Sequence, residues 1–260
     1  MTPDSVQPDA AGPAGHLRVL VIEHEPNAGL GRLGDLGGAR IERRRPDLGD
    51  ALPPTLADHD ALVVLGGSMA AWQDDVASWL PHTRRLLAEA VERRLPTLGI
   101  CLGAQLLALA TGGSVDRGGQ GLEVGLVEIR LTPQGRQDRL LSVVADRVGE
   151  TFSVPHWHQD AVVALPPGAV LLATGDRYPH QAFRLGGCAW GLQYHPEVSA
   201  ADWDEWMTDY HGALHPEGLH PGEVAAAMSA AQAHLAVLAE AHVEAFVAAC
   251  RNAAEPGTGE

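Results

Sequence analysis

A chain of 260 residues, 45% of them hydrophobic, can bury one large core and leave room for appendages. Its formal charge of -15 disfavours nucleic acid and anionic membranes as partners, since both repel an acidic surface. Every basic residue is an arginine, which excludes lysine Schiff-base chemistry and lysine-bearing phosphate loops.

Residues 1–16, rich in Pro, Ala, Gly and Asp and without periodicity, are predicted to be a disordered tail. They show no basic stretch leading into an apolar one, and no run of 18 apolar residues appears, so the chain reads as cytoplasmic. LRVLVIE (17–23), ARIERR (39–44) and ALVVLGG (61–67) are strand candidates, the first and third reading as buried. Residues 79–95 are helical, with Leu86, Leu87, Ala90 and Val91 on one face and arginines on the other, and Pro96 stops the helix. PTLGI (96–100) is a further strand. LGAQLLALATGG (102–113) is a helix ending at Gly112 and Gly113, where a left-handed cap is expected. This alternation predicts an α/β fold with a mostly parallel central sheet and helices on both faces. In the second half, GLVEIRLT, TFSVPHWH, AVLLATG, QAFRLGG and AWGLQYH are short strands between turns, predicting an antiparallel extension of the same sheet. After Ala200 the chain is helical again, with an alanine-rich amphipathic stretch over 223–250. The expected organisation is a tail (1–16), an α/β domain (17–200) and a C-terminal helical extension (201–260).

The three cysteines, Cys101, Cys188 and Cys250, have neither disulfide-framework nor metal-ligand spacing and read as free thiols. Cys101 stands out because Gly99 and Gly103 flank it where a strand meets a helix. A nucleophile on such a turn needs small residues two before and two after it. The helix starting at Leu102 would then aim unpaired N–H groups at the sulfur and favour thiolate. GxCxG alone fits a small core cysteine equally well, so other residues must decide.

A thiolate needs a histidine to move protons and a third group to orient it. In QYHPE, Pro196 favours an extended His195, which puts the Glu197 side chain on the same side as the imidazole. His215-Pro216-Glu217 repeats the tripeptide, but turn residues surround it, whereas His195 follows a strand. An acyl-transfer intermediate also needs oxyanion donors. The backbone N–H of Leu102 is one, and Gly67 in LGGSM is a second, although LGGSM also reads as a plain strand-terminating turn.

Together LVVLGGSM, LGICLGAQ, PHWHQD and GLQYHPE resemble, in order and spacing over about residues 17–198, the class I (triad) glutamine amidotransferases, with free-standing members similar to the amidotransferase domain of GMP synthase. The resemblance implies a flavodoxin-like class I amidotransferase fold and a Cys101-His195-Glu197 triad. It implies that Cys101 attacks the side-chain amide of L-glutamine to give a γ-glutamyl thioester. His195 would protonate departing ammonia and then activate water. Gly66, Gln105, Trp157 and His158 are implied substrate contacts, as part of a segment running on through Gln159 and Asp160. Gln159 stands where related sequences often have glycine. No cofactor or metal is implied. Because no ATP-pyrophosphatase segment or synthase barrel is recognised here, a separate ammonia-accepting synthetase is the expected partner.

Two other readings share these residues. A γ-glutamyl hydrolase acting on γ-glutamyl amides has the same thiol chemistry, but usually resembles GxCRG where this chain has Leu102. A non-catalytic regulatory subunit would not need the three triad residues. His211, His215 and His220 lie in a Pro/Gly stretch without the acidic or cysteine ligands that would complete a zinc site. Trp203 and Trp206 are expected to cover the C-terminal helices against the core.

Overall fold

The computed structural model describes residues 17–210 and 220–254. The expected tail and the His211 and His215 positions lie outside the described residues. In chain order the elements are β1 (Arg18–Ile22), β2 (Arg40–Arg44), β3 (Ala61–Val64), α1 (Leu80–Glu92), β4 (Thr97–Ile100), α2 (Leu102–Ala110), β5 (Ser114–Arg117) and β6 (Glu123–Leu131). There follow α3 (Leu141–Val148), β7 (Thr151–His158), β8 (Asp160–Ala164), β9 (Val170–Gly175), β10 (Ala182–Leu185), β11 (Ala189–Leu192), α4 (Ala200–Tyr210), α5 (Pro221–Ala230) and α6 (Gln232–Ala254).

Nine strands form one sheet in the order β2-β1-β3-β4-β11-β10-β9-β6-β7. From β2 to β11 neighbouring strands are parallel, and from β11 onward each pair is antiparallel. The continuous apolar run of β1 follows from burial on both faces: Val19 and Val21 join one core cluster, Leu20 and Ile22 the other. Leu86, Leu87 and Ala90 of α1 and Leu106 and Leu107 of α2 pack on the Leu20 side. Leu235, Leu238 and Phe246 of α6 pack on the Val19 side. The expected α/β sheet with helices on both faces and an antiparallel extension is the observed architecture.

Local chemistry explains the boundaries. The α1 helix ends earlier than residue 95 because Arg94 takes a φ of 56° and Leu95 N–H turns back to the Ala90 carbonyl at 2.8 Å. Gly112, at φ 90°, and the Gly113 N–H bonded to the Ala108 carbonyl close α2 with the expected left-handed turn.

Three features differ from the sequence expectation or add to it. AWGLQYH is not one more antiparallel strand throughout: β11 turns back from β10 through Gly186 and Gly187 and so runs parallel to β4. β5 and β8 form a separate two-stranded sheet, which the sequence pattern does not announce because β5 is short and polar. The alanine-rich stretch, expected simply to be helical, is divided between α5 and α6 at Ala231, the C-cap of α5, with φ -89° and ψ 0°.

Residues 232–253 of α6 are long and apolar enough to span a bilayer by length and composition, a property that core helices share. Here the helix also carries polar anchors to the sheet. The Tyr194 hydroxyl donates to His242 Nε2 at 3.0 Å, and His242 Nδ1 donates to the Leu238 carbonyl. Burial lowers the His242 pKa to about 4, so the ring stays neutral and can accept.

Candidate active site

Ligands of open α/β sheets gather beyond the carboxyl ends of the parallel strands. At those ends Ile100 of β4 pairs with Leu192 of β11, and Gly99 pairs with Val64 of β3. The segments that follow these strands carry Gly66, Cys101 and His195.

Cys101 sits at φ 49° and ψ -105°, a conformation that costs a non-glycine residue about 1–3 kcal/mol. The glycines around it make the turn possible. A methyl group on Gly99 would lie 2.6 Å from the Gly103 carbonyl oxygen, and one on Gly103 would overlap the Val64 carbonyl. The Cys101 N–H donates to the Leu192 carbonyl at 2.7 Å, tying the elbow to β11. Leu102 opens α2 directly after the cysteine, so its N–H has no partner within the helix. Gln193 Nε2 donates to Cys101 Sγ at 3.6 Å.

His195 is buried, and its Nδ1 lies 2.6 Å from Glu197 Oε1. Burial on its own would lower the imidazole pKa. The Glu197 charge, then the Cys101 sulfur nearby and the hydrogen bond to Glu197, outweigh it and raise the pKa well above its ordinary 6.5. His195 Nε2 has no hydrogen-bond partner among the described residues. It is the ring atom left over for a reacting group.

Two further contacts hold this pair. The His195 N–H donates to the Pro155 carbonyl at 2.9 Å. The turn after β1 grips the Glu197 segment: Arg32 N–H donates to the Glu197 carbonyl at 2.6 Å and Arg32 Nε to the Val198 carbonyl at 3.2 Å. Gly31 makes the approach possible, with φ 44° and no side chain to overlap the Glu197 carbonyl.

Gly66 lies against the same pair, where a Cβ would be 3.2 Å from His195 Cε1 and 3.8 Å from Cys101 Cβ. Gly67 is enclosed by Met69, His24 and Leu102 and likewise has no room for a side chain. A cleft of about 320 Å³ opens over these groups, lined also by Gln105, Trp157, His158, Trp206 and Tyr210. Gln105 Nε2 donates to the Asp160 carbonyl at 2.8 Å and to Gln193 Oε1 at 3.3 Å, which fixes the side chain on the cleft floor.

Behind the cleft, His158 Nε2 meets Glu123 Oε2 at 3.0 Å and His158 Nδ1 meets the Asp160 carbonyl at 3.1 Å. His156 Nε2 meets Gln181 Oε1 at 2.9 Å, and Gln181 Nε2 donates to Glu123 Oε2 at 2.7 Å. Glu123, His156 and His158 could by donor type hold a divalent ion, since one ligand atom from each lies within 4.8 Å of the others. Each ring nitrogen of the two histidines faces an oxygen at 2.9–3.1 Å, however, and the cluster works as a buried anchor for the 157–160 segment. Burial, followed by the charge of His158, lowers the His156 pKa to about 4.

All nine residues singled out from the sequence, Gly66, Gly67, Cys101, Leu102, Gln105, Trp157, His158, His195 and Glu197, meet at or beside this cleft. Four contributors lie outside the sequence reading of the site. Gln193 carries a signal, since it stands two residues before His195, just beyond the end of β11. Gly31 and Arg32 carry none, because the Val198 that Arg32 holds is 166 positions away. Trp206 is expected from sequence only as cover for the core; it is buried there, and its ring edge also packs on His195 at 4.9 Å between centroids.

Comparisons with known proteins identify the family. The model of the class I glutamine amidotransferase family matches residues 41–210, and the chain belongs to that family. The glutamine amidotransferase-like protein YfeJ of Salmonella typhimurium is 31% identical over 189 residues, 70% of this chain and 77% of that protein. γ-Glutamyl peptidase 5 of Arabidopsis thaliana is 30% identical over 55% of this chain, and a glutamine-hydrolysing GMP synthase subunit of Thermococcus kodakarensis is 40% identical over 42%. The matches span 56% and 54% of those two proteins. A crystal structure of a glutamine amidotransferase from Thermotoga maritima superposes with a TM-score of 0.79 at 28% identity, covering 90% of this chain and 99% of that one.

Proposed function

We propose that the chain is a cysteine amide hydrolase that cleaves the side-chain amide of L-glutamine through a Cys101 thioester and passes ammonia to a synthetase partner. The observation that carries this reading is the buried His195–Glu197 pair at 2.6 Å beside a cysteine held at φ 49° on a strand-to-helix elbow. His195 Nε2 takes the thiol proton, and the sulfur attacks the amide carbon. Charge on the carbonyl oxygen is met by the N–H groups of Leu102 and Gly67. The C–N bond breaks as Nε2 returns the proton to the departing nitrogen. Water then attacks the thioester, giving its proton to His195, and the C–S bond breaks to release glutamate and regenerate the thiol. Throughout, Glu197 holds the Nδ1–H tautomer and stabilises the imidazolium.

The Thermococcus kodakarensis relative, a glutamine-hydrolysing synthase component, supports glutamine as substrate and a synthetase as partner. A second reading, hydrolysis of γ-glutamyl amides larger than glutamine, is supported by the aromatic residues lining the cleft and by the γ-glutamyl peptidases of Arabidopsis thaliana among the relatives. The test is glutamate release from glutamine and from γ-glutamyl amides by wild-type chain and Cys101→Ala. Turnover that disappears with Cys101 supports the reading, and turnover that survives its loss overturns it.

A further inference from the structure

One wall of the cleft has no use for ammonia. His195 must protonate the nitrogen that leaves, so that nitrogen sits within about 3 Å of Nε2 in the reacting complex. The ring beside His195 is Trp206, packed edge-on at 4.9 Å and 76°. Its Nε1 donates to the Asn27 carbonyl at 2.7 Å, which locks the indole in place. Trp157 continues the wall, 6.3 Å from Trp206 and nearly perpendicular to it, and Tyr210 lies 6.1 Å from Trp157. Trp157 and Tyr210 are only partly buried and line the cleft. Ammonia carries no substituent that could contact these rings. A substituent on a larger leaving amine would pass directly along them.

We propose that Trp206, Trp157 and Tyr210 form a subsite for an aromatic substituent on the leaving amine, and that the chain therefore hydrolyses γ-glutamyl amides of aromatic amines in preference to small ones. This rests on the reading of Cys101 as nucleophile toward γ-glutamyl amides. The reaction is balanced by water alone: the γ-glutamyl C–N bond breaks, the amine leaves with a proton from His195, and water converts the thioester to glutamate. Offset and edge-to-face ring contacts are worth about 0.5–1.5 kcal/mol each beyond the area they bury.

The experiment compares kcat/KM for γ-glutamyl-phenethylamide, γ-glutamyl-ethylamide and L-glutamine. The expected result is a preference of about 10-fold or more for the phenethyl over the ethyl amide, the size of one to two ring contacts. In Tyr210→Leu and Trp157→Leu that ratio falls toward one, and Tyr210→Phe, which keeps the ring, restores it. The ratio cancels any general damage to the catalytic groups. Cys101-dependent turnover of glutamine or the ethyl amide without a phenethyl preference overturns the subsite and leaves the proposed function standing. A preference that persists in both leucine variants also overturns it. No Cys101-dependent turnover of any of the three overturns the function and the subsite together.

Discussion

Gly31→Ala tests whether the turn after β1 sets the position of Glu197. Gly31 holds φ 44°, and alanine in a left-handed conformation costs roughly 1–2 kcal/mol. The new methyl would also overlap the Glu197 carbonyl, which accepts the Arg32 N–H at 2.6 Å. Clearing that overlap demands a shift of about 1 Å in one of the two segments, a displacement that costs about 10²-fold in rate when it falls on a catalytic group. The expected outcome is glutaminase kcat/KM about 100-fold below wild type and a lowered thermal midpoint. The loss should appear mainly in kcat, since Gly31 does not line the cleft. A variant with unchanged kcat would refute the coupling between this turn and Glu197.

Four other outcomes are expected. Glu197→Gln removes the charge that most raises the His195 pKa, so the alkaline limb of the pH–rate profile, where the imidazolium loses its proton, should move to lower pH; an unmoved limb would count against the assignment. Cys101→Ala should abolish turnover, His195→Ala should lower it about 10²-fold to 10⁴-fold, and His215→Ala should leave it near wild type, all measured on proteins shown to be folded by circular dichroism. A glutamine-mimicking electrophile should label Cys101 alone by peptide mass mapping, because burial pushes the Cys188 thiol up and that of Cys250 to about 12; comparable labelling of either would sink the argument. Gly103→Ala should fail to fold or lose most of its stability in urea titration, since its methyl meets the backbone of β3.

What can be read from the sequence follows from range. The parallel strands β1, β3 and β4 are buried on both faces, so their apolar runs are visible one strand at a time, and the elbow announces itself because Gly99, Cys101 and Gly103 act on each other within a single turn. Glu197 is legible for the same reason, since it follows His195 by two positions. The direction of β11 is not legible, because it depends on a hairpin with β10 and on a place beside β4, where Leu192 stands opposite the distant Ile100. The Gly31–Glu197 and Trp206–His195 contacts join segments whose local patterns describe only a turn and an amphipathic helix.

The place of β11 in the middle of the sheet has a consequence for how the chain comes together. Until β11 arrives, β4 is an edge strand with a full row of unpaired backbone groups, and Cys101 lacks the Leu192 carbonyl that receives its N–H. The strand that fills the gap is the last of the described strands, and the chain between Ile100 and Ala189 must loop round before it can dock. Long-range pairings of this kind close slowly because loop entropy is lost before the contacts form. Cys101 and His195 are therefore brought together only when the two halves of the sheet are sealed, so an incompletely folded chain carries a glycine-flanked thiol without the imidazole beside it.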